Sequence, residues 1–307
     1  MKTALVEESV SVEAVAAAEE TTRPRLLFDF AELVKARLTL LVLLTTAVGF
    51  YLGSPDAISY AGLFHVVFGT ALAAAGAAAL NQWWERRLDA LMQRTKMRPI
   101  PAGRMAARDA LVVGGALGCG GVLYLAFACN RLSALLAAAT IGIYIFAYTP
   151  LKRISTANTL VGAVPGAIPP MIGWAAARGE VGWPAWSLFA LLFCWQMPHF
   201  FAIAWMYRDD YARAGFRMLS GRDLGGKRSG RQSVFFAVLV TCASVLPAFC
   251  GLTTRASVPI VLAAGLVFLG VAVRFWMKRD LGSARALFLS SILYLPVVLA
   301  ALIATKS

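Results

Sequence analysis

Asn81-Gln-Trp-Trp-Glu85-Arg-Arg-Leu-Asp89 follows without a break on an apolar run from Ala61 to Leu80. At about twenty residues that run is long enough to cross the hydrocarbon core of a bilayer. The stretch continues as Ala-Leu-Met-Gln-Arg94-Thr-Lys96-Met-Arg98-Pro99-Ile-Pro101. Asn81, Glu85 and Asp89 recur every four residues, so a helix places them on one face. The reading that decides the fold is therefore a spanning helix whose end carries an amide and two carboxylates, with basic residues close behind.

The rest of the chain agrees with a membrane fold. Of 307 residues, 59% are hydrophobic and 15% charged, and mean hydropathy is +0.70, whereas soluble domains carry roughly 25% charged residues. Apolar runs predict nine spans near 34–54, 61–84, 107–129, 132–149, 157–177, 185–206, 232–251, 257–276 and 286–304. The fold class is thus all-α, a polytopic membrane protein. The net charge of +13 does not point to nucleic acid, because the basic residues lie between apolar runs and orient helices. With the N-terminus inside, only Arg131, Arg178, Arg255 and Lys306 of the 29 lysines and arginines fall outside the inner segments. That asymmetry predicts a cytoplasmic N-terminus and a periplasmic C-terminus.

Residues 1–27 read as a polar cytoplasmic tail ahead of a transmembrane domain at 28–307. The tail has Glu7, Glu8, Glu13, Glu19 and Glu20 and no basic stretch before an apolar core, unlike a signal or transit peptide. This predicts a bacterial inner membrane protein. Gly162, Pro165, Gly166 and Pro169 in the fifth span suggest close helix contact or a broken helix lining a cavity. The five cysteines lie in apolar spans without metal-ligand spacing and read as small hydrophobes. The long inner loops 85–106 and 207–231 follow spans two and six, a weak sign of a duplicated four-helix unit.

Every unusual polar cluster falls at the predicted inner side: Asn81/Glu85/Asp89, then Tyr148-Thr-Pro-Leu-Lys152-Arg153, then Tyr207-Arg208-Asp209-Asp210-Tyr211. Carboxylates at membrane depth are costly and mark functional pathways. Acidic groups on different helices with cations beside them suit Mg²⁺ and a diphosphate. The plainer alternative is a set of solvated helix ends with positive flanks. An ion-coupled transporter would instead place its charges near the bilayer midplane.

Asn81-x-x-x-Glu85-x-x-x-Asp89, Met92-x-Arg94-Thr95-x-x-Arg98-Pro99, Tyr148-Thr-Pro-Leu-Lys152-Arg153, and Trp195-Gln-Met-Pro-His199-Phe with Asp210-Tyr-x-x-Ala-Gly together resemble the UbiA superfamily of intramembrane prenyltransferases. The resemblance runs from about residue 28 into the last helix. Within the superfamily it is similar to the branch that uses heme b as acceptor. The resemblance implies nine helices around a central cavity, Mg²⁺ as cofactor, and farnesyl diphosphate and heme b as substrates. It further implies membrane lipids and, downstream, heme A synthase or oxidase assembly factors as partners. Carried onto this sequence, Asn81, Glu85, Asp89 and Asp210 are the catalytic set, with Glu85, Asp89 and Asp210 as metal ligands. Arg94, Arg98, Lys152 and Arg153 would bind diphosphate, while His199 and Tyr148 would position the heme. Where the commoner family pattern has Asp, this chain has Glu85, a carboxylate on an arm one methylene longer. A quinone-precursor or chlorin acceptor is the alternative within the superfamily.

Position separates the two histidines. His65 precedes Asn81 by sixteen residues, roughly 24 Å along a helix, whereas His199 is roughly 12 Å from Tyr207. Only His199 lies within reach of a heme near the acidic clusters. Trp83, Trp84, Trp195 and Trp205 could wall a carbocation pocket by cation–π contact, or serve only as interfacial anchors.

Overall fold

The computed structural model describes residues 26–55 and 57–307. The tail expected over 1–27 lies, through residue 25, outside the described residues; Leu26 and Leu27 open a short helix at 26–33. Among the described residues nine helices are long and apolar enough to span a membrane, confirming the all-α, polytopic expectation. They are α1 (Ala36–Gly53), α2 (Tyr60–Asp89), α3 (Ala107–Ala128), α4 (Arg131–Ile154), α5 (Asn158–Arg178), α6 (Trp183–Met206), α7 (Lys227–Phe249), α8 (Ser257–Lys278) and α9 (Leu281–Ala304). The largest departures from the expected boundaries, five residues each, are at the ends of α2 and α4 and the starts of α7 and α9. Helix α2 runs past the alanine-rich apolar stretch to Asp89, and α7 starts at Lys227, so polar residues stay helical at both inner ends.

Burial sorts the helices. The apolar windows of α5 and α6 are 67% and 61% buried, against 28% for α3, α4 and α8, so α5 and α6 are central and the others face lipid. Tight contacts are made where side chains are missing. A Cβ on Gly76 would collide with the backbone of Gly118, one on Gly121 with Ala73, and one on Gly173 with Thr46. Without a hydrophobic force between helices in lipid, such backbone-to-backbone approach is what holds them together.

Two helices are irregular at the centre. In α4 the turn Ile143–Tyr148 is π-helical and is followed at once by Thr149-Pro150. Pro150 lacks an N–H and its ring crowds the carbonyl four residues earlier, which widens the turn. Helix α5 is interrupted at Ile168 between Ala167 and Pro169, with Pro165 inside its first half, as its Gly/Pro density led us to expect.

The two long loops meet at one end of the bundle. Asp210 accepts hydrogen bonds from the Gln93 and Arg94 amides, and Arg217 N donates to Lys152 O. At the opposite end Thr254 N donates to Thr305 O and Arg178 Nε to Gly53 O. The 26–33 helix lies against the loop end. Gln82 Nε2 caps its final carbonyls, Glu32 O and Leu33 O, at 2.8 Å each. Arg104 bridges Asp29 at 2.8 Å and Glu32 at 3.1 Å, while Leu26, Leu27, Phe28 and Phe30 stay exposed. That exposed apolar face suits an interfacial helix.

Candidate active site

A cavity of about 360 Å³ opens among α1, α2, α4, α5 and α6. Its shaft is apolar, with Leu38 and Val42 from α1, Ala74, Ala77 and Ala78 from α2, and Pro165 and Pro169 from α5. Its polar pole lies at the loop end and gathers Asn81, Glu85, Asp89, Arg94, Arg98, Tyr148 and Lys152, all singled out from sequence.

The helical spacing of α2 puts Asn81, Glu85 and Asp89 on the cavity face, each buried. Each has a partner on another segment. Glu85 Oε1 is 2.7 Å from Lys152 Nζ, and Lys152 sits 4.4 Å over the Tyr148 ring. Asp89 Oδ2 is 2.7 Å from Arg98 on the following loop, and Thr95 Oγ1 donates to Asp89 O. Asn81 Nδ2 donates to Thr149 Oγ1 at 3.2 Å, so its Oδ1 faces Tyr144 OH at 3.4 Å and Lys35 Nζ at 2.7 Å. The π-helical turn brings Tyr144 and Tyr148 to the same wall, their rings 5.4 Å apart. Lys35 stands one residue ahead of α1. Burial, with Arg98 and Lys152 close by, pushes its ammonium down to about 7.

Glycines shape the facing wall. A Cβ on Gly162 would meet the Tyr148 ring at 2.5 Å, and one on Gly166 would overlap the Gln196 amide. Their absence lets Tyr148 lie flat against α5 and lets Gln196, held by Leu192 O and Ala163 O, line the cavity.

Other expected residues are elsewhere. Asp210 does not line the cavity: Gln93 N at 3.3 Å, Arg94 N at 3.1 Å and the Arg213 guanidinium take up its oxygens. It fastens the loop that carries Arg94, and Arg94 lies over the Tyr207 and Tyr211 rings. Its neighbour Asp209 is solvent-exposed. Among the described residues no three His, Cys, Asp or Glu side chains gather as a metal site, so Glu85, Asp89 and Asp210 do not form the expected trio. Arg153 is exposed at the end of α4, one position round the helix from Lys152, and is not a cavity residue. His199 bonds Ser291 Oγ through Nδ1 at 2.7 Å and stacks between Trp195 and Phe288, so it faces α9 and not the cavity. His65 bonds Tyr124 OH, away from the pole as expected. None of the four tryptophans lines the cavity either; Trp195 Nε1, for example, is tied to Ser291 O. The aromatic wall consists of Tyr144, Tyr148, Phe200, Tyr211 and Phe216.

The donor set of the pole, two carboxylates and an amide oxygen, is all hard oxygen. That fits Mg²⁺, which takes one or two carboxylates together with phosphate oxygens and water. The cations around it suit a polyanion, and the apolar shaft suits a hydrocarbon tail.

The chain is similar to known proteins in sequence and in fold. A family model described as the UbiA prenyltransferase family matches residues 42–295. The chain is 44% identical over 279 residues to the protoheme IX farnesyltransferase of Solibacter usitatus, covering 88% of this chain and 96% of that one. It is 46% identical over 280 residues to the protoheme IX farnesyltransferase of Opitutus terrae, covering 90% and 93%. Among solved structures, a UbiA homolog from Archaeoglobus fulgidus bound to GPP and Mg²⁺ is similar with a TM-score of 0.65 at 17% identity, covering 89% of this chain and 99% of that one.

Proposed function

This chain belongs to the UbiA prenyltransferase family, and we propose that it transfers the farnesyl group of farnesyl diphosphate to a vinyl group of heme b, giving heme O and diphosphate. Prenyl transfer rests on the family; farnesyl and heme b rest on the near-full-length relatives. The observation that carries the reading is the pole itself: two buried carboxylates one helical turn apart, each paired with a cation, over an apolar shaft.

The chemistry follows from that geometry. Glu85, Asp89 and Asn81 Oδ1 would hold Mg²⁺. When bound, the ion screens charge on the departing diphosphate. Lys152, Arg98 and Arg94 donate to phosphate oxygens and favour breaking of the allylic C–O bond, whose electron pair leaves with diphosphate. The shaft holds the farnesyl chain and keeps water from the allylic cation. Tyr144 and Tyr148, at the junction of pole and shaft, present ring faces to that cation. The heme vinyl group supplies the electron pair for the new C–C bond, and water adds at the carbon left positive, losing a proton to leave a hydroxyethylfarnesyl group. Asp210 acts on this site through the loop that carries Arg94.

The protein crosses the membrane many times. We place it in a bacterial inner membrane with the diphosphate pole cytoplasmic, on the strength of its basic inner loops. Heme A synthase or oxidase assembly factors would receive the product. The test is incubation of the purified protein with heme b, farnesyl diphosphate and Mg²⁺, then mass analysis of the heme. A farnesyl-plus-water adduct and released diphosphate are expected; unchanged heme in a folded, heme-binding preparation would refute the assignment.

A further inference from the structure

Lys35 stands apart from the other cavity cations. Lys152 and Arg98 each face a carboxylate at 2.7 Å, and Arg94 sits at an exposed position over two tyrosine rings. The Lys35 ammonium lines the same pole, but its hydrogen-bond partners are neutral: Asn81 Oδ1 at 2.7 Å and Tyr144 OH at 3.5 Å. The Lys35 side chain is half-buried, and Glu85 and Asp89 act on its ammonium only through space against the opposing charges of Arg98 and Lys152. A phosphate oxygen would supply the anionic hydrogen-bond partner that the ammonium lacks. It has three N–H donors, one more than these two acceptors use.

Its backbone tells the same story. Lys35 adopts φ 50 and ψ 52, the left-handed region that residues with a Cβ enter at a cost. Lys35 and Arg279 are the two described residues other than glycine with positive φ, and strain of this kind persists where surrounding structure over-determines it. Here it does. Lys35 N donates to Glu32 O at 3.1 Å, and Lys35 O accepts from Leu38 N and Thr39 N at 2.8 and 3.0 Å. Thr39 Oγ1 donates to Val34 O, and Gln82, next to Asn81 on α2, caps Glu32 O and Leu33 O. The left-handed turn joins the 26–33 helix to α1 and directs the side chain into the polar pole, where glycine would serve the turn alone more cheaply.

We propose that Lys35 is a further substrate-binding residue of the transfer reaction, whose ammonium donates to a phosphate oxygen of the prenyl diphosphate beside Asn81. Because the residue belongs to the turn after the 26–33 helix, diphosphate binding is mechanically joined to the seating of that helix on α2. This rests on the proposed diphosphate site, but nothing in it depends on heme b being the acceptor.

The test uses the full chain purified in detergent, with inorganic diphosphate and Mg²⁺ as the probe, calorimetry as the readout and heme b titrated separately by visible absorption. Lys35→Met should weaken diphosphate binding by about tenfold or more, the scale of a lost charge-assisted hydrogen bond, while heme b binding stays unchanged. Lys35→Arg should recover most of the affinity. Lys35→Gly is the decisive variant, since it relieves the backbone and removes the ammonium. It should melt no lower than wild type yet bind diphosphate as poorly as Lys35→Met, so it remains informative should Lys35→Met not fold. Wild-type diphosphate affinity in Lys35→Gly would overturn the proposal and leave Lys35 a turn residue. Weakened heme b binding with diphosphate binding intact would also overturn it, by assigning the ammonium to a carboxylate of the acceptor. A wild-type protein that binds no diphosphate would refute the site and the proposal together. One that binds diphosphate in a Lys35-dependent way but does not modify heme b would refute the acceptor alone.

Discussion

Replacing Asp210 with alanine removes an anion that bonds the Gln93 and Arg94 amides at 3.3 and 3.1 Å and meets Arg213. A hydrogen bond to a charged group contributes about 1.5–3 kcal/mol. Both amide contacts are long, so the low end applies. The half-exposed Arg213 adds about 0–1 kcal/mol, as surface pairs do. The loop therefore loses about 3–4 kcal/mol of attachment. If all of it is needed to seat Arg94, the KM for farnesyl diphosphate rises roughly 140- to 720-fold at most, at about 1.4 kcal/mol per factor of ten. Asp210→Asn keeps an oxygen for one amide and should fall between. The assay is initial rate against farnesyl diphosphate at fixed heme b, then against Mg²⁺ at saturating farnesyl diphosphate. The loop-fastening role predicts a raised KM with an unshifted Mg²⁺ requirement. A raised Mg²⁺ requirement with unchanged KM would refute it and return Asp210 to the ligand role its sequence motif suggests.

Lys152→Ala should raise the KM for farnesyl diphosphate or lower kcat by tenfold or more, roughly the loss of one charge-assisted contact. Arg153→Ala should leave both within about twofold, the effect of a surface substitution; steady-state kinetics on the pair checks the contrast. Gly162→Ala places a methyl 2.5 Å from the Tyr148 ring, so an overpacking cost of about 1–3 kcal/mol should appear as a lower melting temperature together with reduced kcat. His199→Ala breaks the bond to Ser291 and a stacked packing between α6 and α9, and should lower thermal stability while a visible-absorption titration shows heme b binding as in wild type.

Much of the fold is written in apolar length and basic loops, because a bilayer leaves few alternatives to spanning helices. The Asn81/Glu85/Asp89 face was legible for a local reason: i, i+4 spacing on one helix fixes direction without tertiary information. The contacts of Asp210 were not legible, because its direction depends on backbone amides more than a hundred residues away. Arg153 and Lys152 are adjacent in a motif, but one helical step turns one into the cavity and the other to the surface. The places of His199 and the tryptophans off the cavity were hidden for a similar reason: depth along a helix can be counted from sequence, but which neighbour a face meets cannot. Lys35 counts in the sequence only as one of the inner basic residues, and its left-handed turn leaves no pattern in composition. Gly162 and Gly166 were visible as small residues; that they make room for Tyr148 and Gln196 required the packing.

The central claim is that the carboxylates at the inner end of α2 serve prenyl transfer to heme b. The most direct measurement compares wild type, Glu85→Asp and Asp89→Ala, each matched for folded protein and bound heme b, by mass analysis of the heme after incubation with farnesyl diphosphate and Mg²⁺. Wild type should convert heme b to the farnesyl-plus-water product, Glu85→Asp should retain substantial conversion because the carboxylate is kept, and Asp89→Ala should yield none. Conversion by Asp89→Ala at the wild-type rate would contradict the account.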